Sequence, residues 1–141
     1  MARDPVLGLG AANFPVAEGT ISPMAGRAEY SVGVRWGAAH NSFVQVGAEL
    51  GIPGLVLFVG AIVTALLALR RVARSALRIG AAALRVSRFA QSLMAALVGF
   101  AVGGFFLSLG YSDMLYTLLA LAVGLAKVAT AELHALPRRR A

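Results

Sequence analysis

A histidine and an acid lie just ahead of a long apolar run, in residues 40–54 (HNSFVQVGAELGIPG). Histidine titrates near neutral pH and can accept or donate a proton, so His40 is a candidate general base or acid. A surface histidine without a chemical role is the competing interpretation, and the residues taken alone favour it. Asn41 is placed to cap a helix that starts after it. On a continuous helix Glu49 would lie opposite His40, so we expect no direct pair between them.

Three further charged residues are candidates for binding a ligand. Arg27 and Arg35 precede His40, and a guanidinium binds pyrophosphate through two parallel hydrogen bonds. Solvated loop charges explain these arginines equally well. Asp113 is a candidate in a later turn, although an aspartate that caps the turn is the better explanation. The second histidine, His134, has no comparable setting and is assigned no role.

Several common catalytic patterns do not occur in the sequence. It contains no cysteine, no GxxxxGK[ST] phosphate loop, no HExxH and no GxSxG. The two histidines are far apart, and no DxD-type acidic pair occurs. We therefore expect no metal ion and no cofactor.

The composition is that of a membrane protein. Of the 141 residues, 59% are hydrophobic and 13% are charged, and the mean hydropathy is +0.79. An ordinary soluble domain carries about 25% charged residues, so this balance nearly excludes a soluble globular domain or a disordered chain. The formal net charge is +7, from 13 Lys and Arg against 6 Asp and Glu. In so apolar a chain this excess indicates cations at one membrane face rather than a nucleic-acid partner.

Three apolar runs are long enough to cross a bilayer, which takes roughly 20 residues. We predict transmembrane helices at residues 51–69, 91–110 and 114–131. Residues 1–50 contain no such run, and their Pro and Gly residues predict loop with short turns. A turn at 111–113 joins the last two spans, and a basic tail occupies 132–141. The predicted fold is all-α, with three membrane spans and an N-terminal loop region.

Six arginines lie between the first two spans, in residues 70–90: Arg70, Arg71, Arg74, Arg78, Arg85 and Arg88. On one helix they fall within an arc of roughly 100°, opposite an apolar side. This pattern predicts a basic amphipathic helix on an anionic membrane surface. Because cations favour the cytoplasmic face, we expect 70–90 and 132–141 in the cytoplasm. Residues 1–50 then lie on the outer face, which is periplasmic for a multi-pass protein of the bacterial inner membrane.

Two motifs resemble those of the bacterial O-antigen ligase and O-antigen polymerase superfamily of membrane glycosyltransferases. The first motif is His40-Asn41, followed by nine residues and then by Gly51-x-x-Gly54. It is similar to the family signature, which also lies directly before a membrane span. Residues 4–14 (DPVLGLGAANF) look like the motif that opens the family's large periplasmic loop, Pro-Leu-x-Gly-x-Gly-x-x-Asn-Phe. The resemblance covers essentially the whole chain. Within these two segments, we assign a structural role to six residues: Gly8, Gly10, Asn13, Glu49, Gly51 and Gly54.

The resemblance implies transfer of a glycan from an undecaprenyl-pyrophosphate carrier to an acceptor hydroxyl of lipid A core or of a growing polysaccharide. It also implies a metal-independent enzyme of the GT-C type. His40 matches the family's essential periplasmic histidine, which would act on the acceptor hydroxyl as a base or bind the pyrophosphate leaving group. Arg27, Arg35, Asn41 and Asp113 are the candidates for binding the substrate.

Family members carry further arginines in spans upstream of the Pro-Leu motif, and Arg3 lies too close to that motif to replace them. We therefore expect this chain to be the C-terminal part of such an enzyme, a partial GT-C-like bundle whose N-terminal transmembrane helices are missing. Whether it acts alone is open. The alternative is a non-catalytic small membrane protein, either a truncated remnant or an interaction subunit.

Overall fold

The structure is a computed structural model that describes residues 5–21, 37–79 and 83–135. Within these ranges the chain is all-helical, with four helices and no strand, which confirms the predicted class. The helices are α1 (Phe14–Ile21), α2 (Ser42–Ile79), α3 (Leu84–Gly104) and α4 (Asp113–Ala135).

Three of these helices are long and apolar enough to cross a membrane, over Ser42–Leu77, Leu84–Gly104 and Asp113–Ala131. In the most apolar 18-residue stretch of each helix, only 17%, 28% and 17% of the residues, respectively, are buried inside the protein. Large apolar side chains therefore face outward, Leu57 of α2 being 74% exposed. Exposing so much apolar surface costs free energy in water but not in lipid, so the three helices have the character of membrane spans.

The N-terminal part of the chain is more helical than predicted. Helix α1 lies inside residues 1–50, which were expected to be loop, and Pro15 occupies its first turn, where a missing N–H costs little. Helix α2 begins at Ser42, directly after the cap predicted at Asn41, and it includes the span predicted at 51–69. The Oδ1 atom of Asn41 accepts hydrogen bonds from the N–H groups of Phe43 (2.9 Å) and Val44 (3.0 Å). The predicted capping role of Asn41 is thereby confirmed.

The amphipathic helix predicted for residues 70–90 is not a separate element. Residues 70–79 are the last turns of α2, and residues 84–90 are the first turns of α3. The sequence has no Gly or Pro between Gly60 and Gly80, and Ala, Leu and Arg all favour helix, so α2 continues past its apolar part. The described arginine side chains of both ends are exposed: Arg70, Arg71, Arg74, Arg85 and Arg88.

Helix α3 ends earlier than the span predicted at 91–110, and the turn predicted at 111–113 extends over residues 105–112. Gly103 and Gly104 weaken the end of the helix, since glycine loses more backbone entropy than other residues. The last turn is tightened by hydrogen bonds from the N–H of Phe105 to Val102 O (3.1 Å) and from the N–H of Phe106 to Gly103 O (3.0 Å). Helix α4 contains the third span, predicted at 114–131, and continues to Ala135, inside the predicted tail.

The chain forms two compact units. The first consists of the described parts of Met1–Val59 together with Ala101–Tyr111, and it contains the described residues of both sequence motifs. The second consists of the described parts of Gly60–Phe100 and Ser112–Ala141. In the second unit α2 and α3 are joined through the fully buried Ser87, whose Oγ donates to Ala73 O (3.2 Å) and accepts from Gln91 Nε2 (3.2 Å).

Candidate functional site

The two sequence motifs meet in the first unit, where the backbone of residues 5–10 lies against residues 48–52 of α2. We call this arrangement the motif clasp. Three backbone hydrogen bonds of 2.9 Å hold it together: Leu9 N–H to Ala48 O, Gly10 N–H to Glu49 O, and Ile52 N–H to Pro5 O. Glu49 O would pair with residue 53 in a regular helix, but Pro53 has no N–H to give. The loop therefore satisfies backbone groups that the interrupted helix leaves unpaired.

Gly51 is the point at which α2 is interrupted. Its φ of 69° and ψ of −170° are not helical, and residues with a side chain rarely adopt them. A Cβ atom on Gly51 would also meet Val6 O and would lie 2.8 Å from Pro5 O. Gly8, in the loop, contacts the same part of α2. It has a φ of 70°, and a Cβ atom added to it would lie only 2.5 Å from Glu49 O, which is too close. Both positions thus require glycine for two reasons, backbone conformation and close approach.

The other motif positions lie around the same clasp. Asn13 Nδ2 donates to Leu9 O (3.1 Å), and Asn13 O accepts from the N–H of Ala17 (2.9 Å), which links the loop to the start of α1. Gly10 donates its N–H to the clasp and has a positive φ of 88°. Gly54 lies one turn past Leu50, where an added Cβ would meet the Cβ of Leu50. Gly8 and Gly51 thus allow the two backbones to approach each other, whereas the neighbour of Gly54 belongs to its own helix.

Glu49 is the polar centre of the clasp. Its side chain is fully buried, and its Oε1 accepts a hydrogen bond from the N–H of Phe14 (3.0 Å). Its Oε2 accepts from the N–H of Ala12 (3.0 Å) and from the hydroxyl of Tyr111 (2.5 Å). Ala12 has a φ of 60°, an uncommon conformation that the carboxyl group helps to hold. Glu49 thus ties the loop before α1 and the turn after α3 to the same point of α2.

A second connection lies two residues after His40. Ser42, which is fully buried, donates from Oγ to Leu107 O (2.6 Å) and accepts from the N–H of Leu109 (2.8 Å). The ring of Phe43 packs against Phe105, with ring centroids 4.6 Å apart. These contacts fix the turn after α3 on the first turn of α2, next to Asn41.

His40 itself is exposed and lies immediately before the capping residue of α2. Its φ of 47° is uncommon for a residue with a side chain and costs roughly 1–2 kcal/mol. Asn41 Oδ1 and the hydroxyl of Ser42 are committed to the helix cap and to the turn, whereas the imidazole points outward from the end of a helix whose N–H groups create positive potential. An exposed imidazole at such a place can exchange a proton with a bound hydroxyl or donate to an anionic group.

His40 and Glu49 lie in different surroundings. His40 precedes the cap of α2, and Glu49 lies seven residues after Ser42 on that helix, about 10 Å along the axis. One is exposed, and the other is buried among its own hydrogen-bond donors. This agrees with the expectation that they form no direct pair, and it makes Glu49 a residue of the scaffold beneath the histidine.

Sequence reasoning missed four polar residues of this unit: Ser42, Gln45, Ser108 and Tyr111. The partners of Ser42 and Tyr111 are more than 60 positions away in the sequence, so no local pattern reveals them. Within the described part of the chain, Gln45 Oε1 and Ser108 Oγ are buried without a hydrogen-bond partner. Buried polar atoms normally have partners, so these two are places where water or a ligand would complete the hydrogen bonding.

Three of the predicted site residues do not belong to the described part of the first unit, which carries His40. Arg27 and Arg35 lie outside the described residues. Asp113 belongs to the second unit, where it is exposed in the first turn of α4. Its neighbour Ser112 accepts at Oγ from the N–H of Met114 (3.3 Å), which makes Ser112 the capping residue. Asn41 is the one candidate adjacent to the histidine.

Within residues 5–21, 37–79 and 83–135, no three His, Cys, Asp or Glu side chains lie close enough together to hold a metal ion. That the protein works without a metal stays a prediction. No family model, no curated protein and no solved structure matches the chain. The resemblance to the O-antigen ligase and polymerase superfamily therefore rests on the two motifs that meet in the clasp.

Proposed function

We propose that this protein is a membrane glycosyltransferase of the O-antigen ligase or polymerase type, in which this chain supplies the part that carries His40. It transfers a glycan from undecaprenyl pyrophosphate to a hydroxyl of lipid A core or of a growing polysaccharide. The proposed location is the bacterial inner membrane, with residues 1–50 on the periplasmic side. The helices of this chain form part of a GT-C-like bundle.

The motif clasp is the observation that carries the proposal. The two motifs that suggest the family are separate in the sequence, and the residues that join them are 35 or more positions apart. Three backbone hydrogen bonds and the Glu49 carboxyl group form these connections. A chance match of two short patterns gives no reason for such mutual contacts. The exposed His40, which has a positive φ and directly precedes the cap of α2, supports a functional role, since backbone strain is often found at active sites.

The proposed reaction needs one proton transfer and no redox step. The acceptor hydroxyl attacks the anomeric carbon of the glycan, a new C–O bond forms, and the C–O bond to pyrophosphate breaks. Undecaprenyl pyrophosphate leaves with the electron pair. His40 accepts the hydroxyl proton or donates a hydrogen bond to the leaving pyrophosphate. Arg27, Arg35 and Asn41 bind the pyrophosphate, and Asp113 is a further candidate for contact with the substrate.

The test is to express the full-length product of the gene in cells that lack their own O-antigen ligase or their own polymerase. Lipopolysaccharide or polysaccharide is then separated by gel electrophoresis. We expect glycan transfer to be restored in one of the two strains, and to be lost in the His40→Ala variant at equal membrane abundance. The proposal fails if neither strain is restored although the protein is abundant in the membrane, and a non-catalytic membrane protein is then the better interpretation.

A further inference from the structure

The second unit contains a groove between α2 and α4 with a volume of about 720 Å³. Small side chains leave this space open, among them Ala61, Thr64 and Ala68 of α2 and Ala126 and Thr130 of α4. The threonine hydroxyls donate to carbonyls of their own helices, Thr64 to Gly60 O and Thr130 to Ala126 O, both at 2.7 Å. The lining of the groove is therefore largely apolar.

Lys127 gives the groove a cationic end. It is the only lysine in the sequence, it lines the groove, and its side chain is exposed. The exposed Arg70, Arg71 and Arg74 follow Ala68 on α2. Consecutive spans cross a bilayer in alternating directions, so α2 and α4 end at the same membrane face. The cations of both helices then lie at one end of the apolar groove.

We propose that this groove binds a phospholipid with an anionic headgroup. One acyl chain lies along the alanine and threonine lining, and the phosphate group contacts Lys127 at the end where α2 carries its arginines. An apolar groove alone would accept the chain of any lipid, but a cation at its end selects a lipid that carries net negative charge. This inference is independent of the proposed glycosyltransferase activity, because it concerns the second unit and not the clasp.

Lipid retention measured by native mass spectrometry tests the site. The full chain is incorporated into vesicles of equal parts phosphatidylglycerol and phosphatidylcholine, and it is extracted with its bound lipid. We expect preferential retention of phosphatidylglycerol. Lys127→Met should lower this preference about fivefold, because one cation near an anionic surface contributes about that factor. Lys127→Arg keeps the positive charge and should keep the preference. Ala61→Leu, which fills the groove, should lower the retention of both lipids.

Two variants serve as matched controls. Arg85→Gln removes one positive charge from an exposed position at the start of α3, and Ala120→Leu enlarges an exposed alanine of α4 that does not line the groove. Both should retain lipid as the unmodified protein does. If Arg85→Gln lowers the preference as much as Lys127→Met, the selection is a net-charge effect and the groove site is wrong. Glycerol phosphate and phosphatidylglycerol are also compared as competitors of the retained lipid. If glycerol phosphate displaces that lipid as effectively as phosphatidylglycerol does, the groove is a phosphate site and not a lipid site.

Discussion

The hydroxyl of Tyr111 donates a 2.5 Å hydrogen bond to Oε2 of Glu49, which lies 62 positions earlier in the sequence. The same carboxyl group accepts from two backbone N–H groups of the N-terminal loop. One buried side chain therefore joins three segments that share no local sequence pattern. Because Glu49 lies two turns into α2 from Ser42, the hydrogen bonds of its carboxyl group fix the helix segment that follows His40 and Asn41.

We predict that Glu49→Ala destabilises the first unit strongly. The substitution leaves the N–H groups of Ala12 and Phe14 without their acceptor, and a buried donor without a partner costs about 1–3 kcal/mol. We expect a total loss of about 3 kcal/mol in the free energy of unfolding, measured by denaturant titration in detergent micelles. Glu49→Gln keeps one acceptor oxygen and should lose less.

A double-mutant cycle with Tyr111→Phe separates the tyrosine from the loop. Tyr111→Phe alone should cost about 1 kcal/mol, the net value of a typical hydrogen bond. In the Glu49→Ala background it should cost almost nothing, because its acceptor has gone. Equal costs in the two backgrounds would show that the hydroxyl and the carboxyl group do not interact energetically.

Gly51→Ala should be among the most damaging single substitutions in the chain. The backbone of Gly51, with φ 69° and ψ −170°, lies in a region essentially restricted to glycine and costs an alanine about 1–3 kcal/mol. The added methyl group would also meet the carbonyl groups of residues 5 and 6. Gly60 provides the matched control, because it lies in the same helix and a Cβ there meets nothing within 4 Å. Gly60→Ala should raise stability by about 0.5–1 kcal/mol, since alanine favours helix. Thermal unfolding of both variants in detergent gives the comparison, and similar losses in the two would contradict the clasp geometry.

The sequence predicts the class of the fold because apolar run length and helix propensity are local properties. The three spans follow from the apolar runs at residues 51–69, 91–110 and 114–131. The bounds are less accurate where the sequence carries no stop signal. Residues 70–79 continue α2 because nothing in their composition ends a helix, whereas the arginine periodicity suggested a separate element.

The candidate site could be predicted only in part. His40, Asn41 and the motif glycines are recognisable from their types and spacing. The roles of Glu49, Ser42 and Tyr111 depend on partners 35 to 67 positions away, which no local pattern encodes. Buried hydrogen bonds of this kind are fixed by tertiary packing, so only the structure reveals them.

Ser42→Ala should release the turn after α3 from α2. The N–H of Leu109 donates to Ser42 Oγ, so its amide should exchange with solvent faster once the hydroxyl is removed. We expect an exchange rate at least about tenfold higher, corresponding to roughly 1.4 kcal/mol of lost protection. Ser92→Ala is the control, because Ser92 is exposed and donates to Arg88 O within its own helix. Unchanged exchange at Leu109 in Ser42→Ala would mean that other contacts hold the turn.

Substitutions of His40 can separate chemistry from folding. His40→Gly removes the imidazole and also relieves the positive φ, so we expect the free energy of unfolding to stay the same or to rise by up to about 1 kcal/mol. His40→Ala removes the imidazole and keeps the strain. Both variants should lose glycan transfer in the cell assay, whereas His134→Ala, which changes the second histidine, should retain it. If the His40→Gly protein is stable and still transfers glycan, the imidazole takes no part in the reaction. If it is at least as stable as the unmodified protein but inactive, the loss of activity is due to the missing side chain.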